Sequence, residues 1–244
     1  MKQYRDRLSL FLKPAVFGFA LILVSWRDFG VIPILFFALV SLIMYARPIL
    51  SATYYTWSAF FALLFASVLG MKILTGTALF LPGLVLYSFI FYLILGIKDY
   101  FFVKRSRLYY ISALLIFYSL FIEFFLADKS QLFLLKYLGV ALALFLLFRE
   151  WLSIIPSFHF PKRETVAAAV AALISAQFLW AIALLPIGFI SSANLMILLV
   201  FTMADFLLKH FTGGISKEFL IQHSFFFLVL SSLIFWTSNW SLGI

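Results

Sequence analysis

The chain has 244 residues, of which 66% are hydrophobic, 20% aromatic and 11% charged, and it carries a net charge of +9. A soluble domain has about 45–50% apolar and about 25% charged residues, so this composition excludes an ordinary soluble protein. We therefore predict an all-α integral membrane protein, a polytopic transmembrane helix bundle formed by one membrane domain over residues 1–244, with no soluble domain.

The positive charge has two explanations that imply different partners. In a soluble protein it would suggest a nucleic acid, whereas in membrane proteins Lys and Arg collect in the cytoplasmic loops. We adopt the second explanation and expect the bilayer as partner, with anionic lipids at its cytoplasmic face, and no nucleic acid. The absence of cysteine excludes thiolate nucleophiles, iron–sulfur clusters and cysteine-bound zinc. We expect no cofactor.

Long apolar runs recur along the whole chain. A helix that crosses the bilayer needs about 20 mostly apolar residues, and runs of this kind occur nine times. The runs are continuous and do not alternate at every second residue, which favours helices over barrel strands. We predict about nine spans, with a range of eight to ten. In chain order they are Leu8–Trp26, Gly30–Ala46, Ile49–Met71, Ile73–Ile97, Leu108–Ala127, Gln131–Phe148, Thr165–Ile190, Ala193–Leu208 and Phe219–Trp236.

The basic residues predict the orientation of these spans. If the N-terminus is cytoplasmic, 14 of the 18 Lys and Arg residues fall on the cytoplasmic side. Cytoplasmic loops carry such an excess, so we expect the N-terminus inside and the C-terminus outside. The chain is then a multi-pass protein of the plasma membrane.

The seventh predicted span opens with small residues at helical spacing. Ala168, Ala172 and Ala176 recur every four residues and lie on one face of a helix. In lipid, small side chains at this spacing let two helix backbones approach closely. We predict that this row forms a tight helix–helix contact.

The last two predicted spans are joined by a polar segment, Met203–His223. Gly213 and Gly214 suit the end of a helix, and Ser216 suits the N-cap of the next. This pattern predicts a helical hairpin in which Asp205 and His223 lie at similar depth near the cytoplasmic surface.

The hairpin supplies the candidate catalytic residues, for which two interpretations remain. One is an Asp–His relay or a shallow anion or metal site; the other is an interfacial helix end, with an Asp205–Lys209 ion pair and long side chains reaching water. The two histidines do not match any dense metal-ligand spacing, so no metal site is assigned. The candidates are Asp205, His223, His210 and Lys209.

Three further polar residues are candidate binding residues. Glu123 is either an interfacial carboxylate paired with Lys129 or Lys136, or a proton carrier. Gln177 either forms an amide hydrogen bond between helices or contributes to a transport path. Arg149 belongs to a basic and aromatic segment that suits anionic lipid headgroups, or to an ordinary cytoplasmic loop.

Three classes of function remain open. The scarcity of deep polar residues favours a structural or assembly protein, or a membrane subunit of a larger complex. A permease for small solutes or lipids would need polar groups that converge inside the bundle. An integral membrane enzyme acting on a lipid-linked substrate would need a cleft at the hairpin on the cytoplasmic face.

Overall fold

The computed structural model describes residues 2–47, 56–99, 105–126, 133–154 and 161–238. Within these ranges the chain forms nine α-helices and no strand, so the all-α prediction is confirmed. The helices are α1 (Lys2–Trp26), α2 (Val31–Ala46), α3 (Trp57–Leu74), α4 (Phe80–Lys98), α5 (Arg105–Leu126), α6 (Phe133–Ile154), α7 (Pro161–Ala183), α8 (Phe189–Thr212) and α9 (Lys217–Thr237).

Six of these helices are long and apolar enough to cross a membrane, namely α3, α4, α5, α7, α8 and α9. Helices α1 and α2 contain shorter apolar stretches, Leu10–Trp26 and Val31–Ala46. The chain is therefore a helical membrane-embedded protein. The count of nine spans, the single membrane domain and the orientation of the termini stay predictions.

The boundary between the seventh and eighth predicted spans was wrong. The sequence run suggested one span up to Ile190 and a short one after it, whereas α7 ends at Ala183 and α8 begins at Phe189. Pro186 lies between them and has no N–H to continue a helix. Helix α8 consequently has 24 residues and is among the longest apolar helices.

The fourth predicted span also began too early. It was placed from Ile73, but α3 continues to Leu74 and α4 begins only at Phe80. Gly76 adopts a φ of +80°, which favours glycine and turns the chain between the two helices. Pro82 thus lies in the first turn of α4, where a helix does not use the backbone N–H, and it is not a break within the span.

The chain divides into two compact units, Met1–Ile116 and Phe117–Ile244. In the first unit, α1 packs against α2, α3 and α4, and α3 packs against α4. Its core is aromatic, since the ring of Phe17 stacks on Phe91 with centroids 4.4 Å apart and lies 5.1 Å from Phe37. Gly18 permits the close approach of α1 to α4, because a Cβ there would lie 2.6 Å from the Ser88 hydroxyl.

In the second unit, α7 packs against α6 and α8, and α8 packs against α9. Ala168, Ala172 and Ala176 are all buried, on the side of α7 that carries its small residues. Tyr118 of α5 donates a hydrogen bond of 2.9 Å to the Asn194 side chain of α8. Helix α9 differs from the other apolar helices, because none of its 21 residues is buried.

Candidate functional site

The turn between α8 and α9 is capped on both sides, at the C-terminal end of α8 and at the N-terminal end of α9. The N–H groups of Gly213 and Gly214 both donate to the carbonyl of Lys209, at 3.2 and 3.1 Å, and Gly214 has a φ of +82°. Ser216 accepts a hydrogen bond of 3.2 Å from the Phe219 N–H, which confirms it as the N-cap of α9. These caps satisfy backbone groups that would otherwise lack partners.

The hairpin brings Asp205 and His223 together. The His223 Nε2 lies 3.4 Å from an Asp205 carboxylate oxygen, and the two side chains are 23% and 25% exposed. The other ring nitrogen, Nδ1, lies 3.1 Å from the carbonyl oxygen of Phe219. The imidazole of His223 thus lies between a carboxylate of α8 and a backbone carbonyl of its own helix.

An apolar groove of about 430 Å³ runs between α8 and α9 beside this pair. The walls are mostly hydrocarbon, and His223 contributes a titratable group to them. Such a groove can hold a hydrocarbon chain whose polar end meets the imidazole. The lining residues are Leu199, Thr202, Met203, Phe206, His223, Ser224, Phe227 and Leu228.

The other two candidates of the hairpin do not join the pair. Lys209 is exposed, and the structure places His223 rather than Lys209 beside the Asp205 carboxylate. His210 is exposed and lines a separate groove of about 720 Å³ together with Lys162 and Arg163 from the first turn of α7. Within the described ranges, no three His, Asp or Glu side chains are grouped so that they could hold a metal ion.

The three candidate binding residues lie on three different helices and are not bonded to one another. Glu123 is buried on α5 with 6% exposure, and its proposed pairing with Lys129 lies outside the described residues. Arg149 is exposed on α6. Gln177 is exposed on α7 and makes no hydrogen bond to any residue that the structure describes. The interhelical amide bond expected within the chain is therefore not formed there.

The first unit contains a cluster of charged residues that the sequence did not predict. Lys98 is only 1% exposed, its ammonium donates to the carbonyl of Tyr45, and it lies 4.5 Å from the Tyr45 ring centroid. Lys13 donates a hydrogen bond of 2.9 Å to the carbonyl of Arg47. Asp99 is fully buried and acts electrostatically on both lysines. We call Lys13, Tyr45, Arg47, Lys98 and Asp99 the lysine cluster.

The lysine cluster fixes the C-terminal end of α2. Two ammonium groups bind carbonyls at the negative end of this helix, where cations are favourable. The Tyr45 hydroxyl lies 2.7 Å from the Thr56 hydroxyl, and its ring stacks on Phe60 at 4.2 Å, which ties α2 to α3. The cluster therefore joins α1, α2, α3 and α4. A lysine inside the first apolar run was the available signal in the sequence.

Comparison with known proteins found no similarity: no protein-family model, no curated protein and no solved structure matches this chain.

Proposed function

We propose that the protein is an assembly subunit of the plasma membrane, which uses outward-facing helix surfaces to bind other membrane proteins. In this proposal the chain crosses the bilayer about nine times, with its N-terminus in the cytoplasm and its C-terminus outside. The observation that carries the proposal is the outward position of the Gln177 amide on α7.

Gln177 lies deep in an apolar helix. It follows Lys162 by about 22 Å along the axis at 1.5 Å per residue, in a hydrocarbon layer about 30 Å thick. The residues between Gln177 and the end of α7 are Phe, Leu, Trp, Ala and Ile, and the turn after Ala183 is apolar as well. The amide therefore has apolar residues on both sides along the helix.

An amide at this position needs a partner that lipid cannot supply. Placing an amide in hydrocarbon without a hydrogen bond costs about 2–7 kcal/mol. Lipid tails have no donor or acceptor, and no described residue of the chain bonds this side chain. A polar group on another membrane helix would remove the cost, and such bonds contribute to helix association in bilayers.

Helix α9 gives this proposal a second open surface. Each of the other five long apolar helices buries 39–56% of its apolar 18-residue stretch, whereas α9 buries none and packs on α8. A helix held on one side only leaves most of its circumference for lipid or for a partner helix. This arrangement suits a protein whose contacts extend beyond its own chain.

Photo-crosslinking in native membranes tests the proposal. A photoreactive phenylalanine analogue in place of Trp180, one turn from Gln177 and exposed, is expected to give discrete adducts with a protein. Val85 is the matched control, since it is exposed on α4 with the apolar Leu81 and Phe89 on the same face. Only lipid adducts are expected there. Lipid adducts alone at both positions would contradict the proposal.

The second candidate is an integral membrane enzyme, favoured by the Asp205–His223 pair beside an apolar groove. If it is correct, Asp205→Asn and His223→Ala each abolish complementation of a deletion strain while protein levels in the membrane stay normal. Lys209→Gln is the matched control, because this exposed charge lies outside the pair. Normal complementation by the double variant would exclude the enzyme.

A further inference from the structure

We propose that a second copy of this chain covers the outward face of α7, so that the protein forms a parallel homodimer whose two Gln177 amides bond each other. This inference rests on the proposed function and names the partner of the same surface. Its support comes from the pattern of exposed residues on α7, the chemistry of the amide and the symmetry of a membrane dimer.

Six exposed side chains on and just after α7 form a regular stripe. They recur at alternating steps of four and three residues from the second turn of the helix to the residue just after it, and the exposed Ala169, Phe178 and Ala181 flank them. This spacing is the seam of a left-handed helix pair, in which the same face stays turned to the partner over the whole length. We call these residues the α7 stripe: Val166, Val170, Leu173, Gln177, Trp180 and Leu184.

The α7 stripe lies apart from the buried side of α7, although Val166 at its start lines the groove shared with His210 of α8. The buried residues of this helix, which include Ala168, Ala172 and Ala176, face the opposite side. Ser175 is buried with them, and its hydroxyl lies 3.4 Å from the Met203 sulfur of α8. Helix α7 therefore has one face bound to neighbouring helices and a second, equally regular face that is exposed.

A single polar residue in an apolar seam selects its partner. In helix pairs, one buried amide at a core position fixes the register and the number of chains, because any other alignment leaves it without a hydrogen bond. Gln177 is the one such residue among the six of the α7 stripe. It therefore specifies which helix fits and in which register.

A second copy fits this requirement because an amide complements itself. The side chain of Gln177 carries both donors and an acceptor, so two copies related by a two-fold axis can each donate to the other. A carboxylate on the partner helix could accept hydrogen bonds from the Gln177 amide nitrogen. It could not donate one, so the Gln177 carbonyl would stay without a partner. Since both copies insert into the membrane in the same direction, the helices run parallel and Gln177 meets Gln177.

Cysteine crosslinking tests this arrangement, because the chain has no cysteine of its own. In membranes under mild oxidation, Leu173→Cys is expected to give a disulfide-linked dimer, since each Leu173 faces its counterpart. Val85→Cys on α4 is the matched control, because Val85 is 66% exposed and Leu173 is 63% exposed. The control is expected to stay monomeric at the same protein-to-lipid ratio.

The role of the amide is tested in the Leu173→Cys background. Gln177→Leu is expected to raise the protein-to-lipid ratio needed for half-maximal crosslinking about tenfold, which is the order expected for interhelical hydrogen bonds. Gln177→Asn keeps the amide and is expected to restore part of the dimer. An unchanged ratio for Gln177→Leu would overturn the amide contact.

The outcomes separate this inference from the proposed function. Absence of the Leu173→Cys dimer, with protein adducts still formed at Trp180, would overturn the second copy and leave the assembly subunit standing. Absence of the Leu173→Cys dimer, together with only lipid adducts at Trp180, would overturn both the second copy and the assembly subunit. A dimer that weakens with Gln177→Leu and recovers with Gln177→Asn supports both.

Discussion

Lys98→Met is expected to destabilise the protein by about 1.5–3 kcal/mol, the usual contribution of a hydrogen bond made by a charged group. Methionine keeps the length and the apolar stem of lysine but removes the ammonium. The carbonyl of Tyr45 then loses its donor, and the fully buried Asp99 loses a neighbouring positive charge. The measurement is the free energy of unfolding by denaturant in detergent micelles.

The control for Lys98→Met is Lys72→Met. Lys72 also lies in the last turn of an apolar helix, α3, but it is exposed, so we expect a change within about 0.5 kcal/mol. Asp99→Asn in the Lys98→Met background is expected to recover part of the lost stability, because it removes a buried negative charge that has lost one of its two neighbouring lysines. Equal stability of the two single variants would show that the lysine cluster does not hold α2.

The order of the helices could be predicted from the sequence because each span is a continuous apolar run. The ends of the helices were harder to predict, since apolar residues also occupy the turns between them. The turn that follows Ala183 is apolar, so hydropathy alone extended the seventh span to Ile190. The backbone chemistry of Pro186, which cannot donate a hydrogen bond, placed the break instead.

The hairpin of the candidate site could be predicted because its signals are local. Two glycines and an N-cap serine lie within four residues, and equal distances from the turn bring Asp205 and His223 together. The expected Asp205–Lys209 pair was also a local argument, from a spacing of four residues on one helix. The structure instead places His223, from the neighbouring helix, beside Asp205.

The partners of the lysine cluster and the exposure of the α7 stripe could not be predicted, because both depend on distant parts of the chain. Lys98 is buried by its contact with Tyr45, 53 residues earlier, whereas the sequence shows only a charge at the end of a span. Gln177 lies in a helix that is apolar on both faces. Only the packing of α7 on its neighbours decides which face is buried.

If the protein is embedded in a membrane, the exposed apolar surfaces of its helices must lie in hydrocarbon and not in water. Helix α9 is apolar and has no buried residue, so its stability as a separate helix requires hydrocarbon around it. Leu228 lies near its middle and is 62% exposed, while Gly213 lies in the turn between α8 and α9 and is exposed. Both positions are therefore open to a reagent, and we expect them to differ in the medium around them.

Labelling of single cysteines in open membrane fragments compares these media directly. With a water-soluble maleimide, Gly213→Cys is expected to react on the order of tenfold or more faster than Leu228→Cys, because the thiolate that reacts forms in water and not in hydrocarbon. Denaturation in detergent should abolish the difference. Equal rates at Gly213→Cys and Leu228→Cys in the intact membrane would contradict a membrane-embedded protein.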